Sequence, residues 1–458
     1  MELMDIIADY LPLFMFVGMG ILLFSGYPVA FILGGVSIIF GVLGFALDVF
    51  SLGEFFNFAP RIWGFAAENL VLVALPTFIV MGIAMERSGV AEDLLHITQI
   101  LLRKVPGGLA MSVTVMGTIL AAMTGIIGAS VTMMTALALP TMLKSRYSPS
   151  LATGVICASG TLGILIPPSI MLIIMGDLLQ VPVGTLFMAA LVPGLILALL
   201  YMIYIGIHAA WDPSVAPPVR DSDINVQKGE TASMIFRAFI PPVALIVIVK
   251  GSILFGFATP SEAGAVGAFG AAFLALAKGR LKWEMIKGVC ESAGLTIAMI
   301  FFIIVSATCF AYVFRSLGGD YIVEDIIHEA GLSSWGLLIL IMVIVFLLGF
   351  FLDWVEITLI VLPIFAPLAA GLDFGDHVLK SEVLTWFIVL VAVNLQTSFL
   401  TPPFGFAIFY LKGIAPKGVE TLQIYKGIIP FVILQVLGLI MVLVYPDVSL
   451  WLARVSYD

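Results

Sequence analysis

Gly154 to Gly176, GVICASGTLGILIPPSIMLIIMG, is long and apolar enough to cross a bilayer, yet Gly163 and Pro167-Pro168 interrupt it near its middle. A proline inside a helix removes a backbone donor and clashes with the preceding turn. In lipid, backbone groups freed this way must find partners in protein or in a water-lined cavity. The segment therefore reads as two half-helices that meet near mid-membrane. The first ends with carbonyls free near Ser159, Gly160, Thr161 and Gly163, and the second begins at Pro167 with amides free near Ser169 and Ile170. A cation suits the first end and an anion the second. The device recurs at Asn394 to Gly413, NLQTSFLTPPFGFAIFYLKG, where Pro402-Pro403 follows a small polar run. Paired interruptions in two halves of a chain are the best sequence pointer to a secondary-transporter site.

Composition fixes the class of fold. The 458 residues are 62% hydrophobic and 11% charged, too little charge to cover a soluble surface. Apolar runs about 20 residues long recur along the chain, as in an all-α polytopic membrane protein embedded in a lipid bilayer. The net charge of −9 comes without a basic patch, so no nucleic-acid partner is expected. The N-terminal MELMDIIADY is acidic and lacks the basic region of a secretory signal. Cys157, Cys290 and Cys309 lie in apolar spans and read as buried small hydrophobes without a disulfide framework. No phosphate-binding GxxxxGK[ST] loop is present. His96, His208, His328 and His377 lack metal-ligand spacing. Neither an HExxH nor a GxSG set points to an intramembrane enzyme, and an ion channel would not need two broken helices.

The spans expected are about 8–25, 28–47, 70–86, 183–207, 236–256, 260–277, 288–313 and 422–445. Asp48 to Asn69 and Glu92 to Lys104 read as interfacial pieces. The short apolar pieces 109–124 and 129–144 suggest a re-entrant hairpin, and 335–350 with 354–371 a second. The halves echo each other in sequence. Pro28 and Pro260 open similar segments 232 positions apart, and Asp93 in RSGVAEDLLH matches Asp325 in RSLGGDYIVEDIIH at the same offset. The reading is two inverted repeats, each with five spanning helices, one re-entrant hairpin and one broken helix. The first repeat is 1–210, with its hairpin at about 107–145 and broken helix at about 148–180. A cytoplasmic loop covers 211–234. The second repeat is 235–458, with its hairpin at about 334–371 and broken helix at about 383–415. With both termini outside, 15 of the 20 Lys and Arg face the cytoplasm, as the positive-inside rule asks; Arg61, Lys250, Arg315, Lys380 and Arg454 do not. Asp320, Glu324, Asp325, Glu329, Asp373 and Asp376 then give an acidic outer face.

The motifs GIIGASVTMMTALALPTMLKSRYSPSLATGVICASGTLGILIPPS, FLDWVEITLIVLPIFAP and NLQTSFLTPPFG resemble the large membrane subunit of tripartite ATP-independent periplasmic (TRAP) transporters, over essentially the whole chain. The resemblance implies an elevator-type importer of the bacterial inner membrane, driven by co-transported Na+. It implies a small membrane subunit and a soluble periplasmic substrate-binding protein as partners, and an organic acid bearing a carboxylate as substrate. The alternative is a self-sufficient sodium–carboxylate symporter of related hairpin architecture. Where the family often has a small run after the FLD aspartate, this chain has Trp354, Val355 and Glu356; where it often has asparagine, this chain has Ala407.

Sodium is a hard cation that prefers carbonyl and hydroxyl oxygens. Gly128, Ser130 and Thr132 at the first hairpin tip, with Ser159, Gly160 and Thr161, are candidates for one sodium site. The competing reading is that small residues only permit close packing. By the repeat, Gly349 and Asp353 with Asn394, Gln396, Thr397 and Thr401 are candidates for a second. Ionisable groups at membrane depth are functional candidates, although Asp353 could instead cap the following half-helix. The substrate anion is expected between the broken helices, near Pro168, Ser169, Ser398, Thr401, Pro403 and Phe404. Glu356 is awkward beside an anion, and Glu262 is expected to pair within the scaffold or touch the interface.

Overall fold

A continuous apolar chain satisfies its backbone in lipid by coiling into helices, and a computed structural model shows that solution. It describes residues 2–218, 235–402 and 405–457, and among these every regular element is helical. Pro403, Phe404, Arg220, Lys228 and most of the expected 211–234 loop lie outside the described residues. Among the described residues, seven helices are long and apolar enough to cross a membrane. There are eight if the pair Leu52–Ala67 and Val71–Arg87, bent by 58°, counts as one span. Ile21 on Leu11–Leu23, Phe31 on Val29–Ala46, and Phe24 and Tyr27 in the turn between them lie exposed, as lipid-facing residues do.

The order of elements repeats along the chain. Ala74–Arg87, Val90–Leu102, the hairpin Gly108–Thr124 with Ile127–Lys144, the broken pair Pro149–Thr161 with Ile170–Leu178, and Val183–Trp211 come first. Trp283–Ser316, Gly319–Ala330, the hairpin Ser334–Leu348 with Leu362–Ala370, the pair Val383–Leu400 with Phe406–Ile414, and Thr421–Val444 follow in the same order. Contacts divide the chain into two compact units: Met1–Leu72 with Leu295–Leu384, and Val73–Gly294 with Thr385–Asp458.

In the first unit, the 48–69 segment folds into short helical turns. Ser51 and Glu54 form a capping box that opens a short 3₁₀ helix, Leu52–Asn57. Phe50, Phe55, Phe58 and Tyr312 then stack edge to face in a chain, at 5.2, 5.4 and 5.9 Å. Gly41 leaves the space that the Phe55 ring fills. Arg61 lies 4.5 Å over the Tyr312 ring, and the Tyr312 hydroxyl accepts from Asn57 and donates to Glu54. The second arm of the second hairpin is not one helix. It runs Trp354–Glu356, a π-helical turn at Ile357–Val361, then Leu362–Ala370. Pro363 cannot donate to the Leu359 carbonyl, and the wider turn absorbs the lost bond. Pro367 in turn frees the carbonyl of Pro363, and the Arg315 guanidinium donates to it at 3.2 Å.

In the second unit, glycine sets the two closest helix approaches. Gly264 and Gly267 of Pro260–Ala277 lie against Thr77 and Met81 of Ala74–Arg87, where added carbons would not fit. Gly154 of Pro149–Thr161 faces the carbonyl of Gly427, and Gly427 faces the carbonyl of Ser150. Here main chain packs on main chain. Lys278 pairs with Asp93 at 2.5 Å and Arg280 with Glu92 at 3.0 Å, so the Val90–Leu102 helix is clasped to the turn after Ala277. Glu262 closes a capping box on Thr259, and Cys290, expected to be buried, is exposed on its helix.

Because Gly427 meets the Ser150 backbone, Gly427→Val is expected to lower unfolding stability by about 1–3 kcal/mol. Gly294, on an exposed helical face with nothing within 4 Å of an added carbon, should tolerate alanine with a gain of about 0.5–1 kcal/mol. Thermal unfolding of the detergent-purified protein, followed by tryptophan fluorescence, measures both.

Candidate functional site

The first break is built by small residues and prolines together. Pro149–Thr161 is buried from Leu151 to its end, tightens into the 3₁₀ turn Leu162–Ile164, and stops before the cis Pro167-Pro168 bond. Ser169 straddles the gap. Its hydroxyl donates to the Ile164 carbonyl at 2.6 Å and accepts from the Leu172 amide at 3.5 Å, capping Ile170–Leu178. The first hairpin packs directly on this break. Gly160 faces Val131, between Ser130 and Thr132, and Gly117 faces Ser159. Gly125 approaches the Ile170 amide, and Gly128 lies under the Tyr410 ring. The residues expected for the first ion group, Gly128, Ser130, Thr132, Ser159, Gly160 and Thr161, are thus gathered by adjoining elements, and Ser130, Ser159 and Thr161 are fully buried.

The second break follows the same rule. Val383–Leu400 carries a small polar run to Pro402, and Phe399 packs edge to face on Phe406 across the gap at 5.6 Å. Asn394, Gln396, Thr397 and Ser398 are buried. The hydroxyls of Thr397, Ser398 and Thr401 donate back to the carbonyls of Val393, Leu395 and Thr397 at 2.7–2.9 Å. A thiol contact, Cys157 Sγ to the Ala407 carbonyl at 3.6 Å, links the two broken helices.

The two breaks also meet through side chains. Gln396 donates to the Thr161 hydroxyl at 3.4 Å and to the Tyr201 hydroxyl at 3.5 Å, and Gln435 donates to Thr161 at 3.3 Å. All four are fully buried. The sequence assigned Thr161 and Gln396 to separate ion groups; the fold joins them. Tyr201 and Gln435 were missed, although an amide within the apolar run 427–444 is itself a signal.

Gly349 and Asp353 belong to the first unit, whereas Asn394, Gln396, Thr397 and Thr401 belong to the second. Within its own unit Asp353 is a cap. Its carboxylate accepts from the Trp354 amide at 2.8 Å, and Glu356 accepts from the Asp353 amide at 2.8 Å, a reciprocal capping box. Glu356, awkward in sequence, is the other half of that box.

The hydroxyls of Thr161, Ser159, Ser169, Thr397, Ser398 and Thr401 each spend their proton on a protein acceptor. Each keeps only lone pairs; those of Thr161 accept from Gln396 and Gln435, and one on Ser169 accepts from the Leu172 amide. Ser398 and Thr401, expected near the substrate anion, donate their hydroxyl protons to the Leu395 and Thr397 carbonyls in this arrangement.

An all-helical membrane chain with two interrupted helices at corresponding positions, small polar residues at each interruption, and a hairpin packed on one of them has the build of a secondary transporter. The chain belongs to the tripartite ATP-independent periplasmic transporter family, DctM component, whose family model matches residues 16–448. It is 32% identical over 387 residues to the C4-dicarboxylate TRAP transporter large permease protein DctM of Pseudomonas aeruginosa, covering 84% of this chain and 86% of that one. It is 30% identical over 441 residues to the ectoine TRAP transporter large permease protein TeaC of Halomonas elongata, covering 95% and 97%. The crystal structure of the YdaH transporter of Alcanivorax borkumensis shares the fold, with a TM-score of 0.61 at 13% identity over 93% of this chain and 96% of that one.

The capping role makes a test of Asp353. Asp353→Ala should cost about 1 kcal/mol, while Asp353→Asn, which keeps an accepting oxygen, should cost only a few tenths. Equal losses in thermal unfolding would mean the charge, not the cap, matters.

Proposed function

We propose that this chain is the large permease subunit of a sodium-driven importer in a bacterial inner membrane. It takes up an organic acid bearing a carboxylate. A soluble periplasmic binding protein delivers the substrate, a small membrane subunit completes the complex, and both termini face the periplasm. The observation that carries the reading is the pair of interrupted helices with small polar residues buried at each break, Ser159 and Thr161 at the first and Asn394, Thr397 and Ser398 at the second. Membership of a family of periplasmic transporters supports the partners, and a relative named for C4-dicarboxylates supports an acidic substrate. The replacement of the small run after Asp353 by Trp354, Val355 and Glu356 keeps the proposal at the level of a carboxylate rather than a C4-dicarboxylate.

Mechanistically, sodium at Gly128, Ser130, Ser159, Gly160 and Thr161, and a second ion near Asn394, Thr397 and Thr401, would place positive charge beside the anion. In a low-dielectric site that offsets the cost of burying the carboxylate. The substrate's own hydrogen bonds would come from backbone amides at the starts of the second half-helices, near Ser169 and Ile170. Alternating access then follows from displacement of the substrate-bearing helices as a block.

Uptake into proteoliposomes containing this chain and its small subunit, with a binding protein loaded with radiolabelled organic acids, tests the reading. Uptake should require both an inward sodium gradient and the binding protein. Ser159→Leu, which puts a bulky apolar group against Gly117 and the Thr114 hydroxyl, should abolish the sodium response. Sodium-driven uptake without any binding protein would instead identify a self-sufficient symporter. Uptake indifferent to sodium would refute the ion assignments.

A further inference from the structure

Gln435 stands where an apolar residue would be less costly. It is fully buried in Thr421–Val444, its Nε2 donates to Thr161 at 3.3 Å, and its Oε1 has no partner. Gln396 repeats the pattern, with Nε2 shared between Thr161 and Tyr201 and Oε1 unpartnered. A buried acceptor left unpaired loses its hydration and gains nothing back, whereas an apolar side chain of the same shape is close to neutral. Two such acceptors in one cluster mean that packing stability is not what keeps these amides there.

Thr161 explains their use. Its hydroxyl donates to the Ala158 carbonyl at 2.9 Å in the last turn of the first half-helix. A hydroxyl has one proton and two lone pairs. Both lone pairs are taken, one by Gln396 from the second broken helix and one by Gln435 from the last span. At 3.3–3.4 Å these bonds sit at the long limit of the range, so each is easily given up. A cation that takes Thr161 as a ligand must displace one of the amides.

We propose that Gln435 is a positioning residue, and that the Thr161 hub makes occupancy of the first break felt at the second broken helix and the last span. Gln435 competes with the ion for Thr161, so it tunes sodium affinity without touching sodium itself. This rests on the sodium-driven reading above.

The test is a double-mutant cycle on the complex reconstituted with its small subunit and binding protein. Gln435→Met removes the amide and keeps the length; Thr161→Val removes the hydroxyl and keeps the shape. Half-saturating sodium for uptake, and thermal unfolding, are measured for both single variants and the double. Gln435→Met should leave the unfolding temperature unchanged or higher, yet shift half-saturating sodium by about fivefold or more. In the Thr161→Val background the same change should have no further effect. Additive shifts overturn the proposal, as does a lowered unfolding temperature with unchanged sodium dependence. Loss of folding in both Gln435→Met and Gln435→Leu would make the residue structural and likewise overturn it. If wild-type uptake ignores sodium, the sodium reading fails by itself. The cycle is then read on half-saturating substrate, where non-additivity upholds the hub and additivity overturns it.

Discussion

A helix interrupted inside a bilayer leaves amides and carbonyls that water cannot reach, and much of this fold is a reply to that demand. At the first break Ser169 bonds both ways, giving its proton to Ile164 and its lone pair to Leu172. At the second hairpin, Pro367 frees the Pro363 carbonyl and Arg315 is brought to satisfy it. Once the backbone is settled in this way, hydroxyl after hydroxyl is drawn into carbonyl contacts. The Ser and Thr at these breaks thus serve the backbone first.

Glycine plays the complementary part. Gly117, Gly125, Gly128 and Gly160 let the first hairpin and its neighbours reach the break closely enough to touch main chain and small side chains. In a membrane, close approach replaces the hydrophobic effect as the source of helix association. The polar groups at the tips are therefore held by van der Waals contact on every side, with Ser130, Ser159 and Thr161 sealed from solvent.

The breaks and hairpins were legible in the sequence because Gly, Pro and small polar runs disturb an otherwise monotonous apolar pattern. Gly163 with Pro167-Pro168, the 125–128 tip and Pro402 all lie where expected. Partnerships across the fold were less legible. In lipid the outward face of a helix is as apolar as the inward one, so hydropathy does not say which side of 421–444 is buried, and Gln435 could not be aimed at Thr161. The cap at Asp353 needed backbone angles that one letter does not carry. The division of Gly349 and Asp353 from Asn394 and Gln396 into separate units depends on contacts between distant segments, which the repeat offset of 232 does not encode.

The seam between Gly154 and Gly427 has a further meaning. Because the touching surfaces are peptide groups, no choice of side chain can reshape them, and neither helix can slide or roll against the other without parting the contact. The last span and the first half-helix therefore form a fixed datum. A register fixed by peptide groups is one that substitutions at the hairpin tips and around the breaks leave in place.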